Sequence, residues 1–460
     1  MVWGVSAAER RTSAVAGPVG RLLWAGAMVV CAASGAARAQ DAEAGAAQSV
    51  FHVSGFATLG ATYNDNRDTG VITAYSQSHP AKSGLSDDLD SVLGLQAVWR
   101  PLNGTSITAQ AVARPDDAMQ IEVRMAYLRQ ELIDGFAVRL GRIRSPLYFD
   151  SDVAEVGYAY LTARPPIPLY SIVNSVTALD GGDVQWRHAW GEMAVLVQGY
   201  YGETRYQHHF YNEGFAAHAV LKGIKGGSIS LLFPYVTLRA SRTWADSYTM
   251  RADVISSLDG ALTGFSGDVA ALATVPGLSA SQIATLSAQS KGVAALVNPF
   301  DNRPIYTSIG FDGTLKSLRL LGEWTELESQ SKMVGKYQGY QFTVGYPVGD
   351  VTPYVTYAQQ RRMGGSLNTS ALDSTGLSPG LDAGLGAVQG ALSLASEFAN
   401  LSTRSVSVGA RWDVRENVAL KLQYDWLATP NEETPGMFAV KSLPIRNTTN
   451  LATLALNLVF

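Results

Sequence analysis

The chain has 460 residues, 47% of them hydrophobic, and a formal net charge of −4 at pH 7. Residues 1–39 hold Arg10, Arg11, Arg21 and Arg38 against Glu9, so the remainder carries about −7, and with no basic block in it a polyanionic or nucleic-acid partner is not expected. Beyond the first segment no stretch of roughly 18 apolar residues occurs, so no transmembrane helix is expected either.

Residues 1–39 read as a secretory signal peptide. A basic leader ends at Arg21, an apolar run covers 22–34, and Ala37-Arg38-Ala39 forms a small-x-small cleavage site. The apolar run is short for a membrane span. Cys31 is the only cysteine, and Val30 stands before it where a lipoprotein site needs a small residue. Cleavage after Ala39 leaves a chain without disulfides or thiolate metal sites, which suits a compartment outside the inner membrane.

From 51 to 63 two faces alternate. Val53, Gly55, Ala57, Leu59, Ala61 and Tyr63 share one; His52, Ser54, Phe56, Thr58, Gly60 and Thr62 share the other. A polar loop over 64–87 leads to a second strand at 88–100, a turn at Asn103-Gly104 and a third strand at 105–114. Further short turns are read at Asp134-Gly135, Trp190-Gly191, Gly226-Gly227, Asp312-Gly313, Gly349-Asp350 and Arg415-Glu416-Asn417, where Gly, Asn and Asp supply positive φ. The other connections, mostly longer, are 64–87, 115–119, 146–178, 203–213, 244–302, 329–333, 363–402 and 429–445.

These turns define about sixteen strands, with fourteen or eighteen also compatible. The expected fold is an all-β transmembrane antiparallel β-barrel over 40–460, with short periplasmic turns and long external loops. A soluble sandwich is the competing fold. Strands near ten residues favour the barrel, because a tilted membrane strand needs about that length. So do the faces. Leu420, Leu422, Tyr424 and Trp426 alternate with Lys421, Gln423 and Asp425; Val406, Val408, Ala410 and Trp412 alternate with Ser405, Ser407, Arg411 and Asp413. Tryptophans 99, 186, 190, 244, 324, 412 and 426 gather near strand ends, as in an interfacial girdle. Within the Ala- and Ser-rich connection 252–299, the run 281–290 suits a short helix, and the segment reads as a lid, a plug or a surface loop.

In the last strand Leu454, Leu456, Leu458 and Phe460 alternate with Thr453, Ala455 and Asn457. That terminal pattern, the opening Ser54-Gly55-Phe56-Ala57-Thr58-Leu59-Gly60, and the Gly141-Arg142 step that ends the fifth strand before the loop 146–178 resemble the trimeric sixteen-stranded porins of the Gram-negative outer membrane. The resemblance departs at the long loops 244–302 and 363–402. It implies a water-filled channel for passive diffusion of small hydrophilic solutes and a homotrimer in outer-membrane lipid. It also implies that Phe460 is read by the barrel-assembly machinery and that 146–178 folds inward as a constriction loop.

Within that frame Asp150, Asp152 and Glu155 sit on the inward loop, opposite Arg114, Arg124 and Arg139, which have lumen parity. Arg142 and Arg144 share the parity of Phe136, Val138 and Leu140, so they point outward unless a bulge turns them in. Arg100, Arg319 and Arg411 also have lumen parity. A basic strip facing an acidic loop suits anionic or zwitterionic solutes, although Asp183, Glu323 and Asp425 face the lumen too. Rival functions are a substrate-specific anion channel and a surface-attachment or structural barrel with a closed pore. An enzyme is not expected: no nucleophile elbow, zinc signature or phosphate loop is present, and no metal or cofactor is implied. His208-His209 reads as loop surface and His188 as part of the aromatic girdle.

Overall fold

A computed structural model describes residues 50–115, 119–212, 214–331 and 333–460; the expected signal peptide lies outside the described residues. Sixteen long strands follow in chain order: β1 Phe51–Asn64, β2 Val92–Leu102, β3 Thr105–Ala113, β4 Ile121–Ile133, β5 Phe136–Arg144, β6 Ala178–Trp190, β7 Met193–Phe210 and β8 Phe215–Leu232. Next come β9, Val236–Trp244 with its continuation Ser247–Arg251, then β10 Ile305–Leu315, β11 Leu318–Glu328 and β12 Lys336–Gly345. The last four are β13 Val351–Met363, β14 Thr403–Arg415, β15 Val418–Ala428 and β16 Thr448–Val459.

Each strand pairs antiparallel with its sequence neighbours, and β16 pairs with β1 from Phe56↔Val459 to Asn64↔Leu451. The sheet is therefore a closed barrel without a free edge. Beyond the strand, Phe460 and Gly55 exchange both backbone hydrogen bonds, at 2.7 and 2.9 Å. The Phe460 ring occupies the space that a side chain on Gly55 would fill.

Alternation carries through to the faces. Leu95, Leu128, Leu140, Val184, Ile309, Val355, Val408, Leu422 and Leu454 are exposed on the outside, whereas Thr58, Thr108, Gln198, Ser230, Thr325, Thr343, Ser407 and Thr453 are buried on the inside. A protein in water hides the first set and wets the second, so the faces are inverted relative to a soluble sandwich. Trp99, Trp190 and Trp412 are exposed near the rim that carries the tight turns. No helix among the described residues is long and apolar enough to cross a membrane.

Two of the expected turns are strand interior instead. Gly226 and Gly227 lie within β8, paired with Tyr200 and Gly199. Their turn is displaced to 233–235. Asp312-Gly313 lies within β10, whose turn falls at Lys316 with φ 57°. These glycines make room rather than reverse the chain. A Cβ on Gly226 would come within 2.5 Å of the Tyr200 hydroxyl and 2.6 Å of the Arg242 carbonyl oxygen. Residues 203–213 are also shorter as a loop than expected, because β7 runs on to Phe210 and takes His208 and His209 with it.

The opposite rim carries the long connections. Residues 252–304 hold helices α1, Asp253–Leu272, and α2, Ala280–Ala294, the latter opened by a capping box between Ser279 and Gln282. Residues 364–402 hold α3, Pro379–Phe398. The three helices bury Leu262, Val269, Leu286, Val293, Leu385 and Leu392 against one another, so the two long loops form one helical cap. The placement of Gly226 gives a direct test. Gly226→Val is expected to lower barrel stability by about 1–3 kcal/mol through overpacking, read as a lower temperature of gel-shift conversion of the folded barrel. A hairpin turn at that position would tolerate the change far better.

Candidate functional site

Residues 145–177 turn into the barrel. Leu147, Tyr148, Leu169, Tyr170 and Val173 are buried there together with Tyr306 and Ala358 of the wall. Irregular backbone inside a barrel needs partners for its polar groups, and here the wall strands supply them.

On one side Glu155 meets three arginines: Arg114, Arg124 at 3.4 Å and Arg144 at 3.5 Å. Arg124 is the extra residue of a bulge, since Ala111 pairs with Val123 and Gln110 with Met125. Bulges re-aim side chains. Arg144 also reaches the Ser151 carbonyl and Gln110 Oε1, each at 3.4 Å.

Further round, Arg239 on β9 donates to Asp152 Oδ2 at 2.8 Å and to the Phe149 carbonyl at 2.9 Å. The Phe149 amide donates to Glu323 Oε1 at 2.9 Å. Glu323 on β11 also accepts from Tyr170, Ser308 and Gln341.

The far wall holds the loop most tightly. Lys421 on β15, fully buried, donates to the carbonyls of Gly157 and Tyr160 at 2.6 Å and of Thr162 at 2.9 Å. Arg411 on β14 donates to the Tyr158 and Tyr160 carbonyls at 2.7 and 2.8 Å. Arg164 leaves the loop and enters a carboxylate pair: Nε to Asp90 Oδ1 at 2.6 Å and Nη1 to Asp425 Oδ2 at 2.7 Å. It also donates to Thr62 and Thr453 on β1 and β16. Burial alone would lower the Arg164 pKa, but the charge and hydrogen bonds of Asp90, with the charge of Asp425, outweigh it and hold the guanidinium above its usual value.

Asp150 has no such partner among the described residues. Burial first, then the charges of Glu323 and Asp312, push its carboxyl up to about 7, with Arg319 and Arg239 pulling the other way. It lines a cavity of about 50 Å³ together with Tyr160, Asp312 and Arg319. A second cavity, of about 100 Å³, lies against Arg114, Arg124, Glu155, Asp90 and Arg164.

The sequence-derived site residues thus separate into groups. Arg114, Arg124, Arg144 and Glu155 come together, and Asp152 joins Arg239 instead. Arg139 faces inward but pairs with Asp183 on β6, Nε to Oδ1 at 2.9 Å, and lies over the Tyr127 ring. Arg142 is not a constriction residue: it stands on the outer surface, with Nε 2.6 Å from Asp180 Oδ1 and the two side chains 40% and 50% exposed. The reason is register. Arg142 pairs with Ala126 and Asp180 without a bulge beside it, so strict alternation sends it out. Arg144, at the end of β5, folds over the rim and inward. Sequence reasoning missed Arg164 and Arg239, and left Lys421 as an ordinary lumen residue. The clue to Arg164 was a cation directly before Pro165-Pro166 in the loop, opposite Asp425 of lumen parity.

A closed sixteen-stranded antiparallel barrel with one loop folded through its lumen is the class these observations define. Solved structures of similar shape include an anion-selective porin from Comamonas acidovorans (11% identity, 89% of this chain and 99% of that one, TM-score 0.48). Others are OmpF of Salmonella typhi in complex with daunomycin (12%, 89% and 97%, TM-score 0.47) and the outer membrane channel DcaP of Acinetobacter baumannii (10%, 89% and 97%, TM-score 0.47). No family model matches this sequence, and no curated protein matches it.

Arg164→Met leaves two buried carboxylates without their cation. It is expected to destabilise the barrel by about 3–5 kcal/mol and to expose 145–177 to protease. Adding Asp90→Asn and Asp425→Asn should recover much of the loss. A single variant as stable as the parent, in a thermal melt followed by circular dichroism, would remove Arg164 as the anchor of the loop.

Proposed function

We propose that this chain is an outer-membrane porin in which the loop 145–177 sets the passage for small hydrophilic solutes. The observation that carries this reading is the inward loop itself, pinned by charged groups to opposite walls of a closed barrel whose outside is apolar and whose inside is polar. A fixed set of charges across a narrow wet passage selects solutes by size and sign. Residues 1–39 are the export signal in this reading, Phe460 the feature read by the barrel-assembly machinery, and the functional unit a homotrimer in outer-membrane lipid. The anion-channel reading draws on one feature: arginines 114, 124 and 164 line the larger cavity against Asp90 and Glu155.

The test is single-channel current of the refolded protein in a planar bilayer under a salt gradient. Stable steps in multiples of three, with a reversal potential toward anions, are expected. A reversal potential toward cations would keep the channel and reject the arginines as its selectivity element. No steps from a correctly folded barrel would reject the channel and leave the closed, structural barrel.

Asp150 adds a pH dependence. Its carboxyl is pushed up to about 7, so it is neutral below that pH and charged above it. Cation permeability relative to anion permeability is expected to rise as pH increases from 6 to 8. Asp150→Asn should flatten that rise, and an unchanged profile in the variant would exclude Asp150 as its source.

A further inference from the structure

Beneath the helical cap lies a chamber of about 410 Å³ unlike the rest of the lumen. Its walls come from the inner faces of β7, β8 and β9, from the inward loop, and from α3, through residues such as Ile172, Phe215, Leu221, Met250 and Phe398. Among the described residues no Asp, Glu, Lys or Arg lines it. The volume falls within the range of small-molecule sites, and so does the chemistry: a mostly apolar wall with few polar groups.

Those few are specific. Asn302 is among the residues that line the chamber, it is 8% exposed, and its buried Oδ1 has no hydrogen-bond partner among the described residues. Its orientation is fixed, because Nδ2 donates to the Phe300 carbonyl at 3.0 Å and the backbone is bridged to Tyr248 at 2.7 and 3.0 Å. An unpaired amide oxygen in an apolar enclosure calls for a donor. His208 Nδ1 is a second buried atom without a partner among the described residues, on a ring stacked against Tyr75 at 4.6 Å and beside Phe210 at 4.8 Å. That stack offers a flat aromatic wall to a flat ligand.

We propose that the chamber binds a neutral, largely apolar small molecule that carries a hydroxyl group, such as an aromatic or alicyclic alcohol. The apolar body fills the space between α3 and the strand wall. The hydroxyl donates to Asn302 Oδ1. A charged ligand is disfavoured, because among the described residues no ion of opposite sign lines the chamber to offset its loss of hydration. The site stands on the chamber alone and does not require that the pore conduct.

The experiment is equilibrium dialysis of 1-naphthol against the refolded full barrel in liposomes, with uptake by protein-free liposomes subtracted. Naphthalene and naphthalene-1-sulfonate serve as the analogues without a donor and with a charge. Saturable uptake of one 1-naphthol per chain is expected, with naphthalene weaker by about tenfold. Asn302→Leu should bring the two ligands to similar affinity, and Ala395→Trp, which fills the chamber, should abolish the saturable component. The Asn302 comparison is internal to one variant, so it reads out even where the Ala395→Trp barrel does not fold. Three results would overturn the proposal: uptake that never saturates beyond protein-free liposomes, preference for the sulfonate, or a lipid chain found by mass spectrometry to occupy the chamber and exclude 1-naphthol. Each leaves the conductance result untouched, so this site and the channel fail separately.

Discussion

Everything in this molecule depends on pairing the last strand with the first. Backbone amides and carbonyls that meet hydrocarbon have no water to turn to, so the ladder must close on itself. Val459 to Leu451 opposite Phe56 to Asn64 completes that ring, and Phe460 extends it by two hydrogen bonds to Gly55. Closure then assigns every side chain to one of two faces. One is apolar and looks outward; the other is polar and needs either water or protein partners.

The inward loop supplies partners on a scale that isolated surface ion pairs do not reach. Exposed pairs such as Lys225 with Asp246 add little, because water screens them. Arg164 is different, with its side chain 5% exposed and two carboxylates within 2.7 Å. Burying three charges together is tolerable only when their hydrogen bonds are satisfied, and here Thr62, Thr453, Ser407 and Gln423 complete the shell. Such a network specifies one position for the loop. Lys421 does the same with carbonyl oxygens alone, its three donors matched to three acceptors. The lumen therefore holds two kinds of environment: a charged, tightly bonded girdle around 149–165, and above it an apolar chamber roofed by helices from the two longest loops.

Strand number and face polarity were legible because a period of two is a local property of the chain and survives errors of a few residues at each end. The turn at Asn103-Gly104 was equally legible, since Gly104 adopts φ 74° there. Gly226 and Gly313 misled for a physical reason. A glycine that relieves a close approach by Tyr200 or by the 235–236 turn has the same composition as one that reverses the chain. Arg142 followed its parity outward. Arg124 kept its lumen parity although it is the extra residue of a bulge, whereas Arg144 departed from simple alternation at a strand end, which leaves no mark in composition.

The sequence by itself determined that this chain makes about sixteen alternating strands with one apolar face, and that the connection after the fifth strand carries carboxylates toward a set of arginines. Only the tertiary structure decided which arginine meets which carboxylate, that Arg164 and Lys421 are the anchors, and that α1, α2 and α3 join above an apolar chamber. Alternation is read along the chain two residues at a time. Asp90 and Asp425 stand 335 residues apart and meet at Arg164 only because the barrel closes.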